Sequence, residues 1–156
     1  MSLAADILDL ARAKQIKIAI AESCTGGLVV AALTDVPGSS DVIDRGFVTY
    51  SNAAKTELLG VQSSTLDDHG AVSEPVASEM ALGGVLRSPA DLCVSITGIA
   101  GPGGSEFKPE GRVCFGLAKS GVATQTETQD FGALGRSAVR QAACGHALAL
   151  LKRALL

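Results

Sequence analysis

The chain has 156 residues, of which 47% are hydrophobic, and a formal net charge of −3. This length and hydrophobic content are typical of one packed domain over residues 1–156, which excludes a disordered protein. The negative charge without a Lys- or Arg-rich run disfavours a nucleic-acid partner, and no stretch reaches the roughly 18 apolar residues of a membrane span, so we expect a cytoplasmic protein.

Apolar periodicity in the first half of the chain predicts alternating helices and strands. A stripe of apolar residues predicts a helix over 3–14, and the alternation in KIAIA predicts a short strand over 17–21. The run TGGLVVAAL follows a Ser/Thr-rich turn and predicts a second helix over 25–33. Residues 45–50 are rich in strand formers, and residues 52–59 predict a short helix that ends at a glycine.

The second half of the chain predicts a helix, a buried strand, a hairpin and a closing helix. A serine N-cap precedes the helix predicted over 74–86. The unbroken apolar run over 92–97 is typical of a central strand. Residues 112–119 and 124–131 predict two strands joined as a hairpin, and an apolar stripe predicts the last helix over 136–154.

This order of elements predicts an α/β fold, a three-layer α/β/α sandwich. Its sheet is expected to be mixed and mostly parallel, with about five strands of which one is antiparallel. Ligands of such sheets bind beyond the carboxyl ends of the parallel strands. Polar or glycine-rich segments follow three predicted strands, at 22–27, 51–55 and 98–104. We therefore expect these segments to converge on one pocket.

The four cysteines, at positions 24, 93, 114 and 144, form no CxxC pair and no cluster with histidines. Their spacing favours buried free thiols over a disulfide framework or a metal site. We expect no metal and no cofactor. Cys24 differs from the others because a serine and a threonine flank it in a polar turn.

The segment AESCTGG places Ser23 in a turn between the first strand and the second helix. Free N–H groups at such a turn point toward a ligand, and the helix dipole favours negative charge there. The backbone of Cys24, Thr25, Gly26 and Gly27 could hold a phosphate or the oxyanion of a tetrahedral intermediate. The alternative is structural: Ser23 or Thr25 caps the helix, and the glycines allow close packing.

A serine nucleophile needs a base, and the two histidines are poor candidates. His69 lies in a DDHG turn and His146 in the last helix, where solvated or packed histidines are common. Lys55 is a better candidate, because it follows a strand end together with Tyr50. Its pKa would have to fall from ~10.4 to roughly 7–8, which burial can achieve. The alternative is a solvated Lys55 and a Tyr50 in the core.

The segment TGIAGPGG (97–104) offers a second cradle of backbone donors after the predicted central strand. It contains neither GxxxxGK[ST] nor GxGxxG, so it is not a P-loop or a dinucleotide-binding fingerprint. A glycine-rich loop on its own is weak evidence of function.

Taken together, these segments resemble the CinA carboxy-terminal domain family (competence/damage-inducible protein CinA), whose stand-alone members are nicotinamide-nucleotide amidohydrolases. They span most of the chain in the family's order, and the combination of AESCTGG with TGIAGP is specific. The matching segments are AESCTGG (21–27), GFVTYSNAAK (46–55), GAVSEPVASEMA (70–81), SITGIAGPGG (95–104), KPEGRV (108–113) and GRSAVRQAA (135–143).

The resemblance implies hydrolysis of the carboxamide of nicotinamide mononucleotide, giving nicotinate mononucleotide and ammonia, without a metal. By motif position, Ser23 matches the nucleophile of the family. Tyr50 and Lys55 match the residues that activate this serine, and Thr97 matches a position that contacts the substrate. The helix N-terminus would hold the oxyanion.

The family's substrate-binding arginine has two candidates in this chain. Arg136 aligns best, and Arg140 is a rival one turn later. The family carries an acidic residue just before that arginine, where this chain has Gly135. The resemblance and the glycine-rich segments together give the candidate substrate-binding residues Glu22, Thr25, Gly26, Gly27, Thr97, Gly98, Gly101, Arg136 and Arg140.

Two other functions stay open at this point. One is a catalytically silent nucleotide-binding or regulatory module that keeps the pocket without turnover. The other is thiol chemistry at Cys24, since a helix N-terminus lowers the pKa of a cysteine. We expect a small-molecule nucleotide substrate, no nucleic-acid or membrane partner, and a homo-oligomer.

Overall fold

The computed structural model describes residues 2–105 and 107–156. Helices and strands alternate through much of the first half, and three consecutive strands precede the last helix. In chain order the elements are α1 (Leu3–Lys14), β1 (Ile18–Glu22), α2 (Leu28–Thr34), β2 (Ile43–Val48), α3 (Asn52–Leu59), α4 (Ser63–His69), α5 (Glu74–Leu86), β3 (Leu92–Gly98), β4 (Arg112–Lys119), β5 (Gln125–Asp130) and α6 (Arg136–Leu155).

The five strands form one sheet in the order β2-β1-β3-β4-β5. β2, β1 and β3 are parallel, whereas β4 runs antiparallel to both β3 and β5. Among these strands only β4 points the opposite way, which confirms the predicted mixed, mostly parallel sheet. Glu22 at the end of β1 pairs with Val48 of β2 and Ile96 of β3, so the loops after these three strands begin at one edge.

Helices cover both faces of the sheet, which confirms the three-layer α/β/α sandwich. β1 explains how this works, because its side chains alternate between two buried clusters. Ile18 and Ile20 pack in the cluster that α1, α2 and α6 cover. Ala19 and Ala21 pack in the cluster that α3 and α5 cover. None of the described helices is long and apolar enough to cross a lipid bilayer.

Apart from shifts of one or two residues at element ends, two features differ from the sequence-based expectation. The second helix begins at Leu28 and not at residue 25, because Gly26 and Gly27 have φ values of +60° and +110° and belong to a turn. Helix α4 has no counterpart in the prediction. Its sequence, SSTLDDH, has no buried residue and therefore no apolar stripe from which a helix could be predicted.

Candidate active site

A cavity of about 380 Å³ lies at the edge of the sheet where the parallel strands end. The loops after β1, β2 and β3 line it, together with the segment before α5 and the first residue of α6. The three segments that follow parallel strands in the sequence therefore meet at one pocket. Its size is within the usual range of small-molecule sites, roughly 300–1,000 Å³.

Ser23 is the first residue after β1, and its side chain contacts a buried lysine. The Ser23 N–H donates to the Ile96 carbonyl at 2.9 Å, which ties the start of the turn to β3. The Nζ of Lys55 lies 2.9 Å from the Ser23 Oγ. Lys55 is in the first turn of α3, which Ser51 caps, and it is only 1% exposed. The structure thus brings the predicted nucleophile and the predicted base into contact.

Two backbone carbonyls fix the orientation of the Lys55 amine. Its Nζ also donates to the carbonyls of Thr49 at 2.9 Å and Tyr50 at 3.2 Å. A neutral amine has two N–H donors and one lone pair, and carbonyl oxygens can only accept. When Lys55 is neutral, the two carbonyls take both donors and the lone pair faces the hydroxyl of Ser23. This arrangement suits transfer of the serine proton to the lysine.

Burial changes the protonation of Lys55. Removal from water disfavours the ammonium form and lowers the pKa of Lys55 from about 10.5 to about 8. No ion pair among the described residues includes Lys55 to restore that pKa. A measurable fraction of the amine is therefore neutral near neutral pH, as a general base requires.

Cys24 lies beside Ser23, the predicted nucleophile, but is poorly suited to thiol chemistry. Its side chain is 6% exposed, and burial raises the pKa of the Cys24 thiol to about 11. The expectation that the helix N-terminus would lower this pKa is wrong, because desolvation outweighs the favourable contributions. The four cysteines are all buried and free, as their spacing predicted.

Glu22 caps helix α2 from within the core. This residue is fully buried, and its Oε1 accepts from the N–H groups of Gly27 and Val29, both at 3.1 Å. Its Oε2 accepts from the N–H of Val30 at 3.1 Å. Glu22 does not line the pocket, which corrects the expectation that it contacts the substrate. Because its carboxylate already occupies the N-terminus of α2, that helix end is not available to a substrate phosphate or an oxyanion.

Arg140 holds the same turn from the other side. Its Nε donates to the Cys24 carbonyl at 3.0 Å, and one Nη donates to the Thr25 carbonyl at 3.1 Å. Thr25 is fully buried, and neither it nor Gly26, Gly27 or Arg140 lines the pocket. These residues therefore shape the turn that carries Ser23. We expected Thr25, Gly26, Gly27 and Arg140 to contact the substrate, but none of them lines the pocket.

Arg136 is the arginine that lines the pocket. Its Nη1 donates to the Gly101 carbonyl at 2.6 Å, and its Nη2 donates to the Tyr50 hydroxyl at 2.8 Å. Tyr50 is 61% exposed and so is not a core aromatic. Its hydroxyl bonds to Arg136, whereas its backbone carbonyl contacts Lys55. The resemblance implies that Tyr50 helps to activate Ser23, and the group of Tyr50 that contacts Lys55 is its backbone carbonyl.

The glycine-rich loop after β3 forms the opposite wall of the pocket. Thr97, Gly98 and Gly101 all line it, and the Thr97 hydroxyl donates to the Ala71 carbonyl at 2.9 Å. A Cβ at Gly98 would lie 2.6 Å from a methyl of Val113, so only glycine fits there. The charged side chains among the described lining residues are cationic, those of Lys55 and Arg136, and this favours an anionic ligand.

Sequence reasoning did not identify Asn52 and Ser105, which also line the pocket. Asn52 belongs to the segment GFVTYSNAAK, but its position at the start of α3 gave no separate signal. His146 lies outside the pocket and contacts the carboxylate of Glu127, in agreement with a packed histidine. Among the described residues, no group of three or more His, Cys, Asp or Glu side chains is placed to bind a metal ion.

The chain belongs to the CinA C-terminal domain family, because the model of that family matches residues 1–155. The nicotinamide-nucleotide amidohydrolase PncC of Escherichia coli strain K12 is 47% identical over 152 residues, which cover 97% of this chain and 92% of that protein. The crystal structure of the competence damage-inducible protein A (ComA) from Klebsiella pneumoniae has a TM-score of 0.94 at 36% identity. That alignment covers 98% of this chain and 94% of the other.

Some relatives are much longer than this chain. A CinA-like protein of Chlorobium phaeobacteroides is 57% identical over 119 residues, which make up 74% of this chain. The matched region is 28% of the length of that relative. The chain therefore corresponds to one part of the longer CinA-like proteins and to nearly all of the Escherichia coli amidohydrolase.

The lowered pKa of Lys55 predicts a pH dependence of stability. The folded-state value of about 8 lies below the value of about 10.5 expected for an unfolded chain. Between these values the unfolded state binds more protons, so the contribution of Lys55 to stability rises with pH. The free energy of unfolding of the wild type relative to Lys55→Met should increase from about pH 8 to pH 10 and be constant well below that range.

Urea denaturation of both proteins across this range measures the difference. The matched control is Lys14→Met, which removes an exposed lysine at the end of α1. Its difference from the wild type should show no comparable rise with pH, because the exposed side chain of Lys14 is not desolvated on folding. A constant difference for Lys55→Met over the whole range would contradict a lowered pKa.

Proposed function

We propose that this protein is a nicotinamide-nucleotide amidohydrolase. It hydrolyses the carboxamide of nicotinamide mononucleotide to nicotinate mononucleotide and ammonia, a step of pyridine nucleotide salvage. The observation that carries the proposal is the 2.9 Å contact between the buried Lys55 amine and the Ser23 hydroxyl, inside a pocket whose described charges are cationic. The name of the Escherichia coli relative, which matches this chain over nearly its whole length, supports the same substrate.

Acylation begins with neutral Lys55. The lone pair of its amine accepts the Ser23 proton while the serine Oγ attacks the amide carbon. Negative charge then develops on the former carbonyl oxygen. The N–H groups of Cys24 and Thr25 have no hydrogen-bond acceptor among the described residues, and they directly follow the nucleophile. We assign the oxyanion to the Cys24 amide, because Cys24 lines the pocket whereas Thr25 does not, and the start of α2 is occupied by Glu22.

The Lys55 ammonium then acts as the acid. It donates its proton to the amide nitrogen, and the C–N bond breaks. Ammonia leaves, and the nicotinoyl group remains on Ser23 as an ester. Lys55 is neutral again and can deprotonate a water molecule that attacks the ester carbon. The carbonyl of the ester becomes the carboxylate of nicotinate mononucleotide, and Ser23 regains its proton through Lys55.

Arg136 is suited to hold the phosphate of the nucleotide. Among the described residues, its guanidinium donates to the Gly101 carbonyl and the Tyr50 hydroxyl, and a phosphate dianion is a stronger acceptor than either. Asn52 lines the same pocket and can donate to the ribose or the phosphate. In the proposed complex, the carboxamide lies at Ser23 and the phosphate lies at the start of α6.

We further propose that the enzyme works in the cytosol as a homo-oligomer and without a nucleic-acid partner. The net charge of −3 supports the last point. The strands β2 and β5 lie at the edges of the sheet, where one side of each lacks a strand partner within the described chain. Such edges are available for association between subunits.

The nucleophile is tested by ammonia release from nicotinamide mononucleotide. Ser23→Ala should reduce kcat by at least about 10³-fold, because the acyl-enzyme cannot form. Cys24→Ala, its matched neighbour, should retain most of the activity, since the thiol is protonated and takes no part. Thermal unfolding checks that both variants fold. If Cys24→Ala lost turnover while Ser23→Ala kept it, Cys24 and not Ser23 would be the nucleophile. A wild type that binds the nucleotide without releasing ammonia would indicate a silent binding module.

The substitution Lys55→Arg tests whether Lys55 acts as a general base or only as a positive charge. Arginine keeps the positive charge, but its pKa stays above about 12 and it cannot accept the serine proton. We expect kcat to fall by about 10²–10⁴-fold, as for loss of a general base. The wild-type kcat/KM should rise with pH and level off above about 8, because only the neutral amine is active. Near-normal turnover in Lys55→Arg, with an unchanged pH profile, would return Lys55 to the role of a charged spectator.

The proposed chemistry needs no metal, because Ser23 supplies the nucleophile and Lys55 the base. Dialysis against a strong chelator should leave the rate of ammonia release unchanged within error. A protein of known metal dependence, treated in the same way, verifies that the chelator works. Loss of activity, with recovery on addition of one divalent cation, would contradict this mechanism.

A further inference from the structure

A carboxylate behind the pocket wall joins two of the elements that line the site. Glu110 lies near the end of the loop from β3 to β4. Its Oε1 accepts from the Gly103 N–H at 2.6 Å, and its Oε2 accepts from the Gly135 N–H at 3.3 Å. Gly103 lines the pocket, and Gly135 is the N-cap of α6. One side chain thus connects the glycine-rich loop with the start of the last helix.

The fit between Glu110 and the glycine-rich loop is close. Gly101 has a φ of +93°, and a Cβ at that position would lie 2.5 Å from the carboxyl carbon of Glu110. The Gly101 carbonyl accepts from the Nη1 of Arg136. Glu110 therefore packs against the residue whose carbonyl holds this arginine, and also binds the residue that precedes the arginine in the chain.

The start of α6 depends on this contact. Gly135 has no side chain with which to cap the helix, and no side-chain cap is present within the local sequence. The carboxylate of Glu110 accepts from the N–H of Gly135 itself, as the glutamate of a capping box does for an N-cap residue, and its negative charge is favourable at a helix N-terminus. Arg136 is the first residue of that helix, so its direction follows from where the helix begins.

We propose that Glu110 is a positioning residue for recognition of the substrate phosphate. It fixes the glycine-rich loop and the N-terminus of α6 relative to each other, and so directs the guanidinium of Arg136 into the pocket. It touches neither Ser23 nor Lys55 by any hydrogen bond of the described structure. Its effect is therefore expected on binding of the anionic end of the ligand and not on the chemistry of the amide. The inference rests on the proposed function only for the identity of the ligand.

The test compares two ligands that differ by the phosphate. Nicotinamide mononucleotide and nicotinamide riboside are titrated by calorimetry into Ser23→Ala, which retains the pocket without turnover, and into Ser23→Ala/Glu110→Gln. The glutamine has nearly the size of the native side chain, but an NH₂ group replaces one of the two oxygens, and this donor cannot accept from the N–H of Gly103 or Gly135 that faced it.

The matched control is Ser23→Ala/Glu79→Gln. Glu79 also joins two elements, since it accepts from the Gln62 N–H at 2.8 Å and the Thr65 hydroxyl at 2.6 Å, but it lies outside the pocket. Thermal unfolding of all variants verifies that they fold. The ammonia assay is then run on Glu110→Gln in the wild-type background, where KM and kcat are measured separately.

For Glu110→Gln we expect the Kd of the mononucleotide to rise about tenfold, the effect of roughly one charge-assisted hydrogen bond. The Kd of the riboside should change less than about twofold, and the kcat of Glu110→Gln should change as little. In the control Ser23→Ala/Glu79→Gln, the Kd values of both ligands should also change less than about twofold. An unchanged Kd for the mononucleotide, an equal weakening of both ligands, or a loss confined to kcat would overturn the inference. A wild type that releases no ammonia would contradict the proposed function but not this inference. The Kd values of the mononucleotide and the riboside would still decide the role of Glu110.

Discussion

The buried amine of Lys55 is the interaction on which the organisation of this site depends. An amine out of contact with water requires acceptors, and Lys55 has three oxygen partners, from Ser23, Thr49 and Tyr50. The partners come from the ends of two neighbouring strands. Because β1 and β2 are parallel and Glu22 pairs with Val48, both loops begin at the same level of the sheet. Strand pairing therefore brings Ser23 and the carbonyls that hold the Lys55 amine to the same level of the sheet.

Much of the fold could be predicted from the sequence, because its strands and helices differ in apolar pattern. β1 and β3 are buried on both faces and are mostly apolar in sequence, so both could be predicted as strands. α4 has no buried face and so leaves no pattern. The approach of Ser23 to Lys55 could also be anticipated, since each follows a predicted parallel strand and such ends share an edge of the sheet.

The rest of the site could not be predicted, because it depends on bonds between side chains and distant backbone groups. The residue types at Glu22 and Arg140 suggest ligand contacts, yet both use their charges on the turn around Ser23. Tyr50 contributes its carbonyl, a group that every residue has, and so its identity gave no indication of that role. Glu110 belongs to the segment KPEGRV that resembles the family, but its two carboxylate oxygens accept from the N–H groups of residues elsewhere in the sequence. Spacing in a sequence contains little information on such bonds.

The turn that carries Ser23 lies between two opposite charges, with the Glu22 carboxylate bound to its helical end and the Arg140 guanidinium bound to its carbonyls. The reactive half of the site is therefore rigid before a ligand arrives, and its ordering entropy is a cost of folding and not of binding. The other half, Arg136 and the exposed Tyr50, must exchange partners when an anion enters. An inhibitor that mimics the tetrahedral intermediate would bind the preorganised turn around Ser23 at one end and the adaptable side chains of Arg136 and Tyr50 at the other. Changes at its phosphate end should thus be tolerated far better than changes of geometry at the reacting carbon.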